Sequence, residues 1–151
     1  MYIKEKVYDK HSVVSKPGDV YKVMLRVFNF KDEDAMKEHF YVIGCNARNE
    51  IKYIELSSLG ILNASIVHPR EVFAPAIKHR VSSIVLCHNH PSGDTTPSED
   101  DNKLTKRLIE AGRLLGIEVL DHLIITEDAY FSFSEGNKMG QDEEDNAKNS
   151  Y

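Results

Sequence analysis

Apolar residues follow two kinds of spacing along the chain, and each kind predicts its own type of element. Apolar positions three and four residues apart predict helices over 20–28, over a segment opening at 68–71, and over 98–115. Short continuous apolar runs predict strands over 40–45, 51–56, 81–87, 118–126 and, at an edge, 130–134. The two kinds alternate, which favours an α/β fold with three layers, α/β/α, around a mixed sheet.

Residues that interrupt these patterns mark the ends of the elements. Residues 16–19 predict a turn ahead of the first helix, and Gly116 predicts the end of the last helix. Residues 31–37 predict a charged loop or a frayed helix end, and residues 57–67 predict an irregular segment with at most a short strand. Pro75, inside the second helical pattern, predicts a kink or a later helix start.

These elements fit one domain within the 151 residues. We expect an N-terminal arm over 1–17 and a folded domain over 18–136. The remaining segment, 137–151, is polar and includes the acidic run 142–145, so we expect a disordered tail there.

Composition narrows the classes of function. The net charge is −5 and no basic run is longer than Lys106-Arg107, which argues against a direct nucleic-acid surface. No apolar run approaches the roughly 18 residues that cross a membrane, and the first residues lack a secretion signal, so we expect a cytoplasmic protein without a membrane partner. In that reducing compartment, Cys45 and Cys87 are expected to be buried apolar residues rather than a disulfide.

Histidine and acidic residues follow the strand predicted over 81–87. His88 and His90 are two residues apart at the end of this strand, so both imidazoles can face one point. Asp101, in the first turn of the next helix, can fold back beside them. Two imidazoles and one carboxylate leave a fourth tetrahedral position open, which is typical of catalytic zinc. Simpler explanations exist for each piece, since a histidine pair suits a polar surface and Ser98 with Asp101 suits a helix N-terminus.

The joint spacing from His88 to Asp101, H-x-H-x7-S-x2-D, resembles the motif of the JAMM (MPN+) metallopeptidases at every position. The longer string HNHPSG followed by PS-x-x-D is more similar still to the RadC branch of that family, and LDHLI at 120–124 resembles its second signature. The resemblance covers about residues 18–136, without the N-terminal helix-hairpin-helix region of the larger members. It implies a deaminase-like α/β/α fold of the JAB/MPN type.

The resemblance also implies a metal site and an activity. One Zn²⁺ per chain would be held by His88, His90 and Asp101, and would activate water to cleave a peptide, isopeptide or other amide bond. Ser98 would hydrogen-bond the oxyanion of the tetrahedral intermediate, a role that competes with capping the helix for the same hydroxyl.

The family motif requires a glutamate upstream, near an early strand. Glu38 fits this requirement because it comes just before the strand predicted over 40–45. Glu50 and Glu55 lie in or beside the returning strand of the hairpin, and Glu71 suits an ordinary helix start. Glu38 is therefore expected to take a proton from the attacking water and pass it to the leaving amine.

Other candidate side chains have weaker support. Asp121 and His122 either orient a metal ligand or satisfy backbone groups at a strand end, and the sequence does not decide between the two. His68 and His79 lie outside the motif and are expected to be structural. Alternation along the strand points Cys87 away from the metal side.

Two other classes of enzyme share features with this sequence but fit it less well than a hydrolase. The letters H-N-H suggest an HNH endonuclease, but that motif spreads its residues over a hairpin and a helix, and a zinc deaminase needs a later P-C-x-x-C pair that this sequence lacks. The alternative that stands is a non-enzymatic RadC-type module associated with DNA repair or mobile-element biology. The sequence identifies neither the peptide or protein substrate nor the oligomeric state.

Overall fold

Five strands form one mixed sheet in the computed structural model of the protein, which describes residues 12–140 and residue 151. The strands are β1 (Glu38–Cys45), β2 (Ile51–Gly60), β3 (Ser83–Asn89), β4 (Glu118–Ile125) and β5 (Tyr130–Ser132). Their order across the sheet is β2-β1-β3-β4-β5, with β3 and β4 parallel and every other neighbouring pair antiparallel. The mixed sheet predicted from the sequence is confirmed.

Three helices cover the two faces of this sheet: α1 (Pro17–Val27), α2 (Pro69–Lys78) and α3 (Glu99–Leu115). Apolar residues of α1, including Val20 and Met24, pack in a cluster on one face. Residues of α2 and α3, including Phe73 and Leu108, pack in a second cluster on the other face. The three-layer α/β/α architecture is therefore confirmed.

Side chains of β3 alternate between the two faces, and this alternation positions the site. Ile84 and Leu86 belong to the cluster under α2 and α3, whereas Val85 and Cys87 belong to the cluster under α1. His88 continues the alternation and faces α3. Cys87 therefore points away from the metal side as predicted, and both cysteines are buried and unpaired with each other.

Helix α1 begins earlier than the apolar pattern predicted. Pro17 is the first residue of α1, where its missing N–H costs no hydrogen bond. The Asp19 carboxylate accepts hydrogen bonds from the N–H groups of Ser15 and Lys16, so the predicted turn is the capped first turn of the helix. Helix α2 begins at Pro69, within the opening predicted at 68–71, and contains Pro75, so of the two alternatives expected at Pro75 the later start is wrong.

Strand β2 is longer than predicted and runs to Gly60, through residues that we expected to be irregular. A shift of register between Phe40 and Tyr41 of β1 lets the pairing continue through this polar stretch. Further along β1, a Cβ atom on Gly44 would collide with the ring of Tyr53 on β2. Glycine at this position therefore makes room for a buried aromatic side chain.

The ends of the described chain bear on the expected arm and tail. Val13 forms an isolated antiparallel bridge with Glu50, while residues 1–11 of the expected arm lie outside the described residues. Met139, three residues after the expected boundary at residue 136, is buried in the core. Residues 141–150 of the expected tail are also outside the described part. Among the residues described, no helix is long and apolar enough to span a membrane.

Candidate metal centre

Three side chains meet where the end of β3 faces the first turn of α3. His88 lies within β3, and His90 follows the strand directly, its N–H donating to the carbonyl of Ile125 on β4. The His88 and His90 Nε2 atoms are 3.0 Å apart. They lie 3.3 Å and 3.1 Å from the two carboxylate oxygens of Asp101. The sequence predicted this convergence, and the three groups could together hold a metal ion.

Asp101 is placed by the cap of its own helix. Its Oδ2 accepts a hydrogen bond of 2.9 Å from the N–H of Ser98, and its own N–H donates to Ser98 Oγ at 3.0 Å. This reciprocal pair is a capping box, with Ser98 at the N-cap. The same carboxylate also faces both histidines, so capping and metal binding are compatible at Asp101.

The ring of His90 is held in one tautomer by the loop that follows it. His90 Nδ1 lies 2.8 Å from the carbonyl oxygen of Asp94. A carbonyl oxygen only accepts, so Nδ1 carries the hydrogen and donates it. The lone pair of the neutral ring is then on Nε2, the atom that faces Asp101.

His122 of β4 lies behind His88, on the side away from Asp101. Its Nε2 is 2.7 Å from His88 Nδ1, and its Nδ1 is 2.6 Å from the hydroxyl oxygen of Thr105. Burial holds the pKa of His122 well below its ordinary value, so the ring is neutral. The sequence left the role of His122 open, and the structure places it against a predicted metal ligand.

The chemistry of this donor set fits a cation. Two Nε2 atoms and one carboxylate converge, and the hydrogen of the neutral His90 ring lies on the opposite side at Nδ1. Lone pairs that face one another at about 3 Å repel unless a proton or a metal ion lies between them. Two imidazoles and a carboxylate are ligands that zinc accepts in tetrahedral sites.

Two pKa values reflect the same concentration of charge. Burial raises the pKa of the Asp101 carboxyl, but hydrogen bonds with His88 and His90 outweigh burial and hold this pKa below its ordinary value. Burial lowers the pKa of His90, but hydrogen bonds to Asp101 and to the Asp94 carbonyl outweigh it, so this pKa is raised. The carboxylate therefore attracts positive charge to the point where the Nε2 atoms meet.

An open cavity of about 310 Å³ adjoins the site at His90. Glu38 and Ser98 line this cavity together with His90. Glu38 is the first residue of β1, and its Oε2 accepts a hydrogen bond of 2.8 Å from the N–H of Leu62. The structure thus brings both residues expected to be catalytic to the same cavity as a predicted ligand.

The other glutamates and histidines considered from the sequence lie elsewhere. Glu50 accepts a hydrogen bond from the side chain of Asn46 in the hairpin turn, and Glu55 lies on the edge strand β2, where it pairs with Val42 of β1. Glu71 is in the first turn of α2. The two histidines set aside as structural flank the same helix, His68 at its N-cap and His79 at its C-cap.

Sequence reasoning missed two residues that support the site, Asn89 and Thr105. Asn89 lies between the two histidines, and its side chain bonds to backbone groups on both sides of Glu38. Thr105 is one helical turn after Asp101, a spacing that places both on one face of α3. That spacing was the available signal for Thr105, whereas nothing in the sequence shows what Asn89 bonds.

Asp121, next to His122, has a different role. Its carboxylate accepts four hydrogen bonds, from the N–H groups of His122 and Ser134 and from the hydroxyls of Ser132 and Tyr151. Burial raises its pKa to about 6, although these hydrogen bonds lower it in part. Asp121 thus joins β4 to β5 and to the turn after it. Of the Asp-His pair, Asp121 has a structural role and His122 contacts the site.

Comparison with known proteins agrees with the resemblance found in the sequence. Residues 14–139 match the RadC-like JAB domain family. The chain is 49% identical over 129 residues to a UPF0758 protein of Alkaliphilus metalliredigens, covering 85% of this chain and 54% of that relative. It is 51% identical over 122 residues to a UPF0758 protein of Caldanaerobacter subterraneus, covering 81% and 51%. The chain spans about half the length of the curated relatives it matches.

Proposed function

The chain belongs to the RadC-like JAB domain family, and on that basis we propose that it is a zinc-dependent hydrolase that cleaves a peptide, isopeptide or other amide bond. The observation that carries the proposal is the convergence of His88 Nε2, His90 Nε2 and the Asp101 carboxylate beside a cavity lined by a glutamate. One zinc ion per chain would be held by these three side chains. When bound, zinc acts as a Lewis acid and lowers the pKa of water to about 7, which provides a nucleophile at neutral pH.

Glu38 has the position that a general base requires. It lines the same cavity as His90, and its carboxylate is held in place by the hydrogen bond that Oε2 accepts from the Leu62 N–H. In the proposed reaction Glu38 accepts a proton from the attacking water and donates it to the leaving amine.

Ser98 can cap α3 and serve the reaction at the same time. In the cap its Oγ is an acceptor, because the N–H of Asp101 donates to it. The hydroxyl hydrogen of Ser98 is not used in this bond and can point into the cavity, which Ser98 also lines. We assign this hydrogen to the oxyanion that develops on the substrate carbonyl, an interaction worth about 3 kcal/mol in comparable sites.

The substrate of the proposed reaction is a peptide or a protein of unknown identity. A second cavity, of about 300 Å³, shares His90 and Pro91 with the first and is also lined by the apolar side chains Phe30 and Met36. Because the two cavities meet at His90 and Pro91, a substrate longer than one residue has room to extend from one into the other.

The test compares zinc-loaded wild-type protein with Glu38→Gln on peptide and isopeptide libraries read by mass spectrometry. Glu38→Gln is expected to retain zinc and to lose about 10²- to 10⁴-fold in cleavage rate, since the amide cannot accept the proton. The matched control is Glu71→Gln, which changes a glutamate outside the site and should cleave like the wild type. Equal cleavage by Glu38→Gln would contradict the proposal. Zinc binding without any cleavage, with salt-sensitive DNA binding, would favour the non-enzymatic DNA-repair module.

A further inference from the structure

We propose that His122, fixed by Thr105, is a positioning residue that holds His88 in the tautomer and orientation needed for metal binding. The inference rests on the proposed function only in taking His88 as a metal ligand. It assigns a role to a buried histidine whose purpose the sequence left undecided.

A continuous chain of hydrogen bonds runs behind the site. His88 Nδ1 is 2.7 Å from His122 Nε2, and His122 Nδ1 is 2.6 Å from Thr105 Oγ1. The Thr105 hydroxyl lies 2.7 Å from the backbone carbonyl oxygen of Asp101, one turn earlier in α3. This series of hydrogen bonds therefore begins at the predicted ligand His88 and ends at the backbone of the predicted ligand Asp101.

The direction of each bond follows from the donors available. Thr105 has one hydroxyl hydrogen, and it donates this hydrogen to the Asp101 carbonyl, which can only accept. Thr105 Oγ1 is then the acceptor for His122 Nδ1–H. The Nε2 atom of neutral His122 consequently carries a lone pair, which accepts the hydrogen of His88 Nδ1. This leaves the His88 lone pair on Nε2, the atom that faces Asp101 and His90.

Packing holds the ring of His122 in place as firmly as its hydrogen bonds do. Phe133 stacks on it with ring centres 4.8 Å apart and planes at 12°, and Phe40 meets it edge-on at 5.9 Å. His122 and His88 are both fully buried. Because these neighbours and the hydrogen bond to Thr105 restrain the ring of His122, the acceptor for His88 Nδ1 is in place before any metal arrives.

The partner of His88 is a neutral imidazole rather than a carboxylate. A carboxylate behind a metal-binding histidine adds negative charge and makes the histidine a stronger donor. Here the acceptor for His88 is His122, which Thr105 fixes in turn, and Asp101 remains the one carboxylate in the three-residue group. The orientation of His88 is thereby fixed without adding negative charge to the site.

The experiment measures zinc affinity by competition with a chromophoric chelator for His122→Phe, His122→Gln and Thr105→Val. Phenylalanine fits between Phe40 and Phe133 but cannot accept from His88, so His122→Phe should bind zinc about 10- to 100-fold more weakly. Glutamine keeps an acceptor oxygen and should recover part of the loss. Thr105→Val removes the group that fixes the His122 tautomer and should weaken binding less than His122→Phe.

Two further measurements separate positioning from a merely structural role. The double variant Thr105→Val/His122→Phe should bind zinc like His122→Phe alone, because Thr105 acts through His122. Nitrogen NMR of the zinc-free protein should show hydrogen on Nδ1 of His88 in the wild type and a mixture of tautomers in Thr105→Val. Thermal unfolding in the presence of chelator shows which variants fold. If His122→Phe does not fold, the zinc affinity and the His88 tautomer of Thr105→Val provide the test.

Zinc affinity of folded His122→Phe within twofold of the wild type would overturn the inference, as would additive losses in the double variant. These outcomes are distinct from failure of the proposed function. A wild-type protein that binds zinc but cleaves no amide contradicts the hydrolase alone, whereas a wild type that binds no zinc contradicts both.

Discussion

The side-chain oxygen of Asn89 accepts a hydrogen bond of 2.6 Å from the backbone N–H of His39. The amide nitrogen of Asn89 donates to the carbonyl of Lys37 at 3.0 Å and to that of Ala35 at 3.3 Å. These backbone groups belong to the residues immediately before and after Glu38 and to the turn ahead of them. The residue between the two predicted metal ligands, His88 and His90, therefore holds the segment that carries the proposed base.

Replacement of Asn89 by alanine is expected to loosen this segment. The Asn89→Ala variant removes the acceptor of the buried His39 N–H, so the free energy of unfolding should fall by about 2 kcal/mol, as measured by urea denaturation. Cleavage should fall about 10- to 100-fold through displacement of Glu38, while zinc stoichiometry stays unchanged. Asn102→Ala, a change on the surface of α3, is the control. Stability and cleavage rate in Asn89→Ala equal to those of the wild type would show that the hydrogen bonds of Asn89 do not position Glu38.

Capping and catalysis at Ser98 are separable by substitution. Ser98→Ala removes the acceptor for the Asp101 N–H and should cost about 1 kcal/mol of stability as well as the proposed oxyanion contact. Ser98→Asn restores a cap acceptor but moves the donor, so it should unfold like the wild type and still cleave about 10²-fold more slowly. Urea denaturation beside initial rates distinguishes the two. Full activity in Ser98→Asn would limit Ser98 to its structural role.

The buried Asp121 carboxyl gives stability a specific pH dependence. Its pKa is about 6 in the folded protein against an ordinary value of 3.8, so the folded state keeps a proton that the unfolded state releases. Its contribution is therefore fully present below about pH 4 and is lost as the pH rises to about 6, with a size on the order of 3 kcal/mol. Asp121→Asn cannot release this proton and should lack the dependence.

Urea denaturation of the wild type and Asp121→Asn at several pH values, in chelator, isolates this residue by difference. The stability of Asp121→Asn relative to the wild type should increase between pH 4 and pH 7. Parallel curves for the two proteins over this range would mean that Asp121 titrates at the same pH in the folded and unfolded states.

The strands and the convergence of His88, His90 and Asp101 were predictable because each depends on local order in the sequence. Alternation along β3 fixed the direction of His88 and of Cys87, and helix spacing placed Asp101 in the first turn of α3. The length of β2 was not predictable, because its polar half is held by pairing with β1 across a bulge. Local strand propensity carries no information about the partner with which a strand will pair.

The supporting residues of the site were hidden for the same physical reason. Asn89 bonds to backbone atoms 50 and 52 residues away along the chain, and His122 reaches His88 only because β3 and β4 are parallel neighbours. The sequence singled out the Asp121-His122 pair but did not show that strand alternation sends one side chain to the metal side and the other to β5. Tertiary contacts decide such roles.

Metal content of the purified protein is the most direct test of the site. Elemental analysis after incubation with zinc and desalting should give about one zinc per chain for the wild type, because the ligand atoms of the three side chains lie within 4.8 Å of one another. His88→Ala/His90→Ala should retain almost none, while His68→Ala, which changes a histidine at the N-cap of α2, should match the wild type. A wild type without zinc, or a double variant that keeps the same amount, would contradict a metal centre at His88, His90 and Asp101.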